Sequence, residues 1–346
     1  MAKNSFSIDI GESTTKLVDA SIKNNAIEIE SIGLVPNEKL YFSSTIEKIN
    51  ENQADSIVSL AKKLKVSKTK VNVIIPDSLS YNQIVEMPKL NEKELLSAIK
   101  YQADQFIPMP IDEVSIDIEI IYEKVSDKKI LTFISAAPKK TIEKIQETMQ
   151  YAGLIVDSIE TEASACGRLF SEIYKTAPVQ TQDSTQGTLF VNLGFSSTSL
   201  YFFNDTYKVV THIHNFNIGY RLFMKEIQVN LNISDQEIID LLKTFGGTKS
   251  SGQNLETMLA AGIKDFLFQI QRFISLLSEQ HKTRVTAIYV YNEIFHLGNF
   301  VKTIEDYFKM PTSLFNLATF IKADAVLPEI KGELGFFLAA LGGNFR

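Results

Sequence analysis

Two stretches of the sequence repeat one arrangement of residues. Each has an alternating run of apolar residues, a glycine followed by hydroxyl residues, and a second alternating run. They are SFSIDIGESTTKLVDASIK (residues 5–23) and TLFVNLGFSSTSLYFFND (residues 188–205). Such alternation predicts strands, and a glycine with small polar residues predicts a tight turn between them. The repeat therefore indicates two domains of similar build.

The first turn has the chemistry of an anion site. Glycine permits close approach to the backbone, and the N–H groups of such a turn can bind phosphate. The groups that would bind it are Gly11, Ser13, Thr14, Thr15 and Lys16. Asp9, on the preceding strand, would hold Mg²⁺ through water. A plain hairpin is the alternative for this turn taken alone, and its repetition favours a phosphate-binding cleft.

Composition narrows the classes of function. The 346 residues argue for two or more domains, and 45% hydrophobic with 22% charged residues is typical of a soluble globular protein. A net charge of −6 without a long basic run argues against nucleic acid as the main partner. The single cysteine, Cys166, excludes an internal disulfide framework. Neither a signal peptide nor a membrane span is recognisable, so we expect a cytoplasmic protein.

The first part of the chain alternates between strand and helix patterns. Residues 5–34 predict three strands, residues 51–65 a helix and residues 71–76 a buried strand. Residues 83–156 show a different pattern of strands and helices. They predict a strand that ends at Pro88, a helix over 91–107, two further strands, and a second helix that ends at Gly153. This stretch looks like a small α+β module inserted into the first domain.

The second part returns to the opening pattern. Residues 158–174 predict a strand that turns into a helix, and residues 176–187 a loop. After the repeated hairpin come two helices, a long helix over 255–280 with one apolar stripe, and the buried strand RVTAIYVY. Helices and a short strand close the chain.

The repeated hairpins resemble those of the actin-like ATPase superfamily, with SIDIGESTTK as the first phosphate hairpin and FVNLGFSSTSL as the second. Residues 87–120, and AAPKKTIEKIQETMQYAGL after them, look like the extra subdomain of the PilM family, FtsA-like proteins of type IV pilus assembly. The ending GELGFFLAALGGNFR is similar to that family's closing helix. The resemblance spans nearly the whole chain.

The resemblance implies an α/β fold of two duplicated RNase H-like domains with an FtsA-type α+β subdomain inserted in the first. It also implies domain boundaries. The first actin-like domain would comprise residues 1–83 and 157–180, the inserted subdomain 84–156, the second actin-like domain 181–247 and 283–346, and a helical subdomain 248–282.

The resemblance further implies a site for ATP and Mg²⁺. The nucleotide-binding residues would be Asp9, Gly11, Glu12, Ser13, Thr14, Thr15, Lys16, Asn192, Gly194, Thr198, Gly219, Asp240, Lys243 and Gly298, with Asp9 holding the metal through water. Glu162 aligns with the residue that orients the attacking water in actin-like enzymes. The alternative for Glu162 is an acid placed at a helix start by the macrodipole.

Several positions depart from the superfamily pattern. The second hairpin has Asn192 where aspartate is usual, so it brings no charge to a metal. Where the superfamily has a run of glycines against the purine ring, this chain has Tyr291, Asn292, Glu293 and Ile294. We therefore expect ATP binding to be weakened or lost while the fold persists, a degenerate nucleotide-binding protein rather than an active enzyme.

The implied function is a cytoplasmic adaptor of a type IV pilus assembly complex, or of a related secretion complex, at the inner face of the inner membrane, with regulation by ATP as an option. Its first domain and inserted module would form a groove for the short cytoplasmic N-terminus of a PilN-like membrane protein, bound as an extended peptide. The helix over 91–107 and the strands beside it would form one wall. Other pilus assembly proteins are further expected partners. The alternatives are an ATPase switch and an FtsA-like, self-associating filament former on the membrane.

Overall fold

A computed structural model describes most of the chain, and it contains three β-sheets. The described residues are 5–23, 26–90, 94, 95, 97, 107–124, 128–175, 183–246, 255–322 and 333–346. Two of the sheets have five strands and the third has three.

The first sheet has the strand order β3-β2-β1-β4-β8. Its strands are β1 (Ser5–Ile10), β2 (Thr14–Lys23), β3 (Ala26–Pro36), β4 (Lys70–Ile75) and β8 (Ile155–Thr161). The first three form an antiparallel meander, and β4 and β8 add in parallel. All six residues of β1 are buried, as expected for a strand in the middle of a covered sheet. Helix α1 (Glu47–Lys63) connects β3 to β4.

The second sheet repeats this topology with the order β11-β10-β9-β12-β13. Its strands are β9 (Gln186–Leu193), β10 (Thr198–Asn204), β11 (Val209–Phe216), β12 (Arg284–Asn292) and β13 (Thr312–Leu314). Again three antiparallel strands are followed by two parallel ones. The duplication expected from the two similar hairpins is confirmed.

The third sheet lies in the chain between β4 and β8. It consists of β5 (Tyr81–Pro88), β6 (Val114–Lys124) and β7 (Lys129–Pro138) in the antiparallel order β5-β7-β6. Helix α2 (Lys139–Tyr151) follows and ends before Gly153, whose φ of 70° suits glycine. The helix expected over 91–107 falls largely outside the described residues; Glu94, Leu95 and Ser97 are helical.

The remaining helices join or cover the two large sheets. They are α3 (Glu162–Tyr174), α4 (Tyr220–Leu231), α5 (Asp235–Lys243), α6 (Leu255–Glu279), α7 (Phe300–Phe308) and α8 (Leu338–Gly343). The Thr161 side chain caps α3 by accepting from the Ser164 N–H. Along α6 the expected stripe is buried at all positions except Ile263, which is half-buried. Within the described ranges, we find no helix that is both long and apolar enough to cross a membrane.

Helix α8 brings the end of the sequence into the core of the first sheet. The side chain of Asn344 accepts from the Ala20 N–H at 3.1 Å and donates to the Val18 carbonyl at 3.2 Å. Asn72 of β4 donates to the Gly343 carbonyl at 3.0 Å. These contacts fix α8 across β1, β2 and β4, beside α3.

Candidate functional site

The two repeated turns have the same backbone geometry. In the first turn (residues 11–13), the Gly11 N–H donates to the Thr14 carbonyl at 3.0 Å. In the second turn (residues 194–197), the Gly194 N–H donates to the Ser197 carbonyl at 2.9 Å. A Cβ at either glycine would lie 2.9 Å from that carbonyl oxygen, so both positions require glycine.

The two turns face each other across a narrow cleft. Between them lies a cavity of about 20 Å³, here called the cleft cavity. The predicted site residues that line it are Gly11, Glu12, Ser13, Thr14, Lys16, Glu162 and Gly194. Asn292 and Glu293, from the stretch that replaces the expected glycines, line it too. A volume of this size holds about one water molecule, whereas small-molecule sites span about 300–1,000 Å³.

The cation of the cleft is already paired within the protein. Lys16 Nζ lies 2.9 Å from Asp9 Oδ2, and both side chains are buried. Burial alone lowers the pKa of Lys16, but Asp9, and then Glu162 and Glu293, raise it by more, so the net shift is upward. Lys16 is therefore charged. Asp9 Oδ1 finds no partner among the described residues, which suits a water or a cation there.

Glu162 is buried at the start of α3, where its Oε2 accepts from the Asp77 N–H at 3.1 Å. Burial and the negative charges of Asp9 and Asp77 raise the pKa of Glu162 well above its usual value. Its backbone partner and its burial accord with a structural role at the helix start.

Asp77 is a buried residue that the sequence analysis missed. It follows β4 after Pro76, and its carboxylate accepts four hydrogen bonds. The donors are Asn82 and the Ala163 N–H at 3.0 Å each, Ser199 at 2.7 Å and Tyr201 at 2.5 Å. Asp77 thus connects the first sheet, the third sheet, α3 and the second sheet. The sequence feature that could have indicated Asp77 is its position directly after the buried run VNVIIP.

Two carboxylates bridge the cleft in opposite directions. Both oxygens of Glu12 accept from Ser196 Oγ at 2.6 Å, and Glu12 Oε2 accepts from the Ser196 N–H at 3.2 Å. In the other direction, Ser13 Oγ donates to Glu293 Oε1 at 3.4 Å. Burial raises the pKa of Glu293. Each turn therefore presents a hydroxyl to a carboxylate from the opposite sheet.

The other predicted residues of the second turn are engaged within the protein. Asn192 Oδ1 accepts from Asn292 Nδ2 at 2.9 Å, and Thr198 Oγ1 donates to the Ile218 carbonyl at 2.6 Å. Gly219 packs against the second turn so closely that a Cβ would lie 2.6 Å from the Phe195 carbonyl oxygen. These residues shape the second turn.

Four predicted residues lie away from the cleft cavity. Thr15 Oγ1 donates to Asn37 Oδ1 at 2.6 Å on the other face of β2. Asp240 and Lys243 lie on the exposed side of α5, with Lys243 Nζ 3.9 Å from Asp240 Oδ1. Gly298 packs against α5 and the turn after it, where its N–H donates to the Leu242 carbonyl at 3.1 Å.

The cleft in this arrangement does not fit a nucleotide polyphosphate with Mg²⁺. Lys16, the Ser13 and Ser196 hydroxyls and the Ser196 N–H all have protein partners, and the cleft cavity is far too small. The carboxyl groups of Asp9, Glu162 and Glu293 act on one ammonium group, that of Lys16, and the Glu12 carboxylate lines the same cavity. A phosphate chain would enter a region of net negative charge.

A larger cavity lies where the third sheet meets α3 and β11. Its volume is about 180 Å³, and we call it the groove cavity. Its apolar wall comprises Ile84, Ile120, Ile121, Phe133, Ala163, Gly167, Val209, Val210 and Ile213, and its polar residues are Glu119, Ser164, Arg168 and Ser171. The third sheet, the second sheet and helix α3 thus contribute to one space.

The rim of the groove cavity includes the side chain of Arg168, which an ion pair holds in place, and the outer edge of strand β6. Arg168 makes a two-pronged pair with Glu160, with N–O distances of 3.0 and 2.6 Å. Strand β6 is an edge strand of the third sheet, with no strand on its outer side among the described residues. The β6–β7 register shifts between Ile120 and Tyr122, at the cavity.

Comparison with known proteins identifies the family. A sequence profile described as type IV pilus assembly protein PilM matches residues 7–343. Among solved structures, a PilM-PilN type IV pilus biogenesis complex is similar, with a TM-score of 0.83, 17% identity, and coverage of 100% of this chain and 99% of that one. EutJ of Carboxydothermus hydrogenoformans is similar with a TM-score of 0.54 and 10% identity, and the match covers 98% of this chain and 88% of that one.

A nucleotide-bound protein also has this fold. MreB 5 of Spiroplasma citri bound to AMPPNP gives a TM-score of 0.51 and 10% identity over 99% of this chain and 95% of that one. The expected actin-like α/β fold is thereby confirmed. Because the family profile covers nearly the whole sequence, from the first hairpin to helix α8, the chain belongs to the family of the type IV pilus assembly protein PilM.

Proposed function

We propose that this chain is an adaptor of the inner-membrane assembly complex of a type IV pilus, and that it binds the cytoplasmic N-terminal peptide of a PilN-like protein. Membership of the PilM family supports the pilus role. The similar solved structure is a complex of PilM with PilN, which supports the choice of partner. The observation that carries the proposal is the groove cavity beside the outer edge of β6, which pairs with no further strand among the described residues.

The groove cavity suits the side chains of a peptide better than a small-molecule cofactor. Its volume of about 180 Å³ lies below the range of about 300–1,000 Å³ usual for small-molecule pockets. One or two aliphatic side chains match such a space. Most of its lining residues are apolar, so the inserted side chains would be apolar too.

The edge of β6 supplies what an extended peptide needs beside such a space. An edge strand offers unpaired backbone N–H and C=O groups, which can pair with an added strand. The bulge at Ile121 interrupts the β6–β7 ladder next to the cavity. Main-chain bonds would then provide affinity, and the cavity would select the side chains. This arrangement would recruit the chain to the inner face of the inner membrane.

The peptide proposal is tested by isothermal titration with the N-terminal peptide of PilN from the same organism. Ile120 lines the cavity and is 49% exposed, so Ile120→Glu should weaken binding at least tenfold, or about 1.4 kcal/mol. Ile155, on β8, is 59% exposed and outside the cavity, and Ile155→Glu is the matched control. Equal affinities of both variants and the unmodified protein would contradict this placement of the site.

We further propose that the adaptor role does not require ATP in this arrangement. The engaged donors, the crowded carboxylates and the cavity of about 20 Å³ support this view. Family likeness and the nucleotide-bound structure of similar fold make ATP the ligand to test. A fluorescent ATP analogue, titrated with and without Mg²⁺, should not bind at near-millimolar concentration. Saturable binding that plain ATP displaces would favour a nucleotide switch instead.

A further inference from the structure

We propose that Glu12 is an internal anion that occupies the second turn, and that together with Glu293 it holds the two large sheets in a closed arrangement. The first contact joins Glu12 to Ser196, and the second joins Glu293 to Ser13. We call them the two clasps. This inference concerns the cleft and stands independently of peptide binding at the groove cavity.

The Glu12–Ser196 clasp has the chemistry of an anion site. A turn that presents a backbone N–H and a hydroxyl to the same point favours a negatively charged oxygen. Here both Glu12 oxygens lie 2.6 Å from the Ser196 hydroxyl oxygen, and one also accepts from the Ser196 N–H at 3.2 Å. The occupant of the second turn is therefore a carboxylate that the first turn supplies.

The second clasp is the reciprocal of the first. Glu293 follows β12 of the second sheet and is buried, and it accepts from Ser13, the residue after Glu12. At 3.4 Å this is the weaker contact. Neighbouring residues of one turn thus serve as acceptor in one clasp and donor in the other. Separation of the two turns would break both contacts together.

Occupation by Glu12 has a consequence for other anions. An anionic ligand at the second turn would have to displace the Glu12 carboxylate, and it would then face Glu293 and Glu162. Lys16 offers little compensation because Asp9 already holds it at 2.9 Å. The clasps therefore exclude polyanions and keep the cleft shut. Asp77, bonded to Ser199 and Tyr201, would remain as a contact between the sheets when the clasps open.

The closed arrangement is tested by distance measurement with electron paramagnetic resonance. Spin labels at Lys62→Cys on α1 and Lys302→Cys on α7 would report on the two large sheets, while the buried Cys166 stays unlabelled. The Glu12→Ala/Glu293→Ala variant should give a longer or broader distance distribution. Glu30→Ala, an exposed glutamate of β3, is the control and should leave it unchanged. Identical distributions in all proteins would overturn the clasp proposal.

The anion site has its own test with inorganic tripolyphosphate as the probe. Titration calorimetry should show at least tenfold tighter binding to Glu12→Ala than to the unmodified protein or to Glu30→Ala. Equal binding to all three would overturn the assignment of the second turn as an anion site. Circular dichroism of each variant confirms that the comparison is made on folded protein. Peptide affinity, measured separately, distinguishes a failure here from a failure of the proposed adaptor role.

Discussion

Replacement of Gly167 by alanine should affect stability and peptide binding in opposite directions. Gly167 lies within α3 and lines the groove cavity. A Cβ there would lie 3.7 Å from Val210 Cγ2, an ordinary van der Waals distance. The methyl group therefore fits the free protein without strain and takes up part of the space that a peptide side chain would need.

The expected magnitudes follow from this position. Alanine is favoured over glycine in a helix interior by about 0.8–1 kcal/mol, so the thermal midpoint should rise. Overpacking by one methyl group typically costs about 1–3 kcal/mol, so peptide binding should weaken by about 5- to 150-fold. The combination of higher stability with weaker binding would not result from general damage to the fold.

The assay pairs differential scanning fluorimetry with isothermal titration of the PilN peptide. Gly262→Ala provides the control, because Gly262 lies in α6, where a Cβ would meet only the flexible carboxylate of Glu226. It should bind the peptide normally. Unchanged affinity of Gly167→Ala would show that the peptide does not use the groove cavity, and a lowered thermal midpoint would refute the packing argument.

Three further predictions concern stability. Burial lowers the pKa of His212 to about 4, so below its ordinary pKa near 6.5 the unfolded chain takes up this proton first. The contribution of neutral His212 to the free energy of unfolding should therefore be complete above pH 6.5 and fall by about 3 kcal/mol towards pH 4. In urea denaturation at the same pH values, the free energy of unfolding of His212→Gln should not show this fall. An equal fall in both proteins would disprove the prediction. Lys16→Met leaves Asp9 buried without its cation, so the free energy of unfolding, measured by urea denaturation without nucleotide, should fall by about 3–5 kcal/mol. No fall would indicate that Lys16 acts in ligand binding alone. In Gly342→Ala a Cβ would lie 2.0 Å from the Ala165 carbonyl oxygen, so the free energy of unfolding, measured by urea denaturation, should fall by about 3 kcal/mol or more. A near-normal value would mean that α8 shifts freely.

The fold could be predicted where the evidence is local. The alternating runs predict β1–β3, β9 and β10 because successive side chains of a strand point to opposite faces, whatever the rest of the chain does. The end of α2 was predictable because Gly153 adopts the positive φ that terminates helices. The long helix α6 follows from its stripe of apolar residues. These signals need no knowledge of which segments meet in space.

The candidate site was predictable only in part. The first turn is a local motif, so Gly11, Glu12 and Ser13 line the cleft as expected. Thr15 and Lys16 are neighbours on β2, and neighbours on a strand point to opposite faces. Lys16 pairs with Asp9 in the sheet register, so Thr15 must face Asn37 instead. The period of the strand could have excluded Thr15 from the cleft.

Contacts between distant segments could not be predicted. Glu12 and Ser196 are separated by 184 positions, and Asp77 and Tyr201 by 124. Each member alone has an ordinary local role, as a turn residue or a strand residue. Only the packing of the two large sheets brings them together, and this packing decides that the cleft is filled by the protein's own carboxylates. The sequence contains the residues but no sign of their pairing.

The position of α8 has a consequence for the order in which the chain folds during synthesis. Residues 338–344 cover β1, β2 and β4, so the apolar face of these strands is completed by residues made more than 260 positions later; Asn344 and Ala20 are 324 positions apart. Contacts of such long range form slowly and leave apolar surface exposed meanwhile. We therefore expect the first sheet to complete its packing only after residues 338–344 have emerged from the ribosome. A nascent chain arrested before residue 338 should remain sensitive to protease over β1, β2 and β4, and emergence of residues 338–344 should remove this sensitivity.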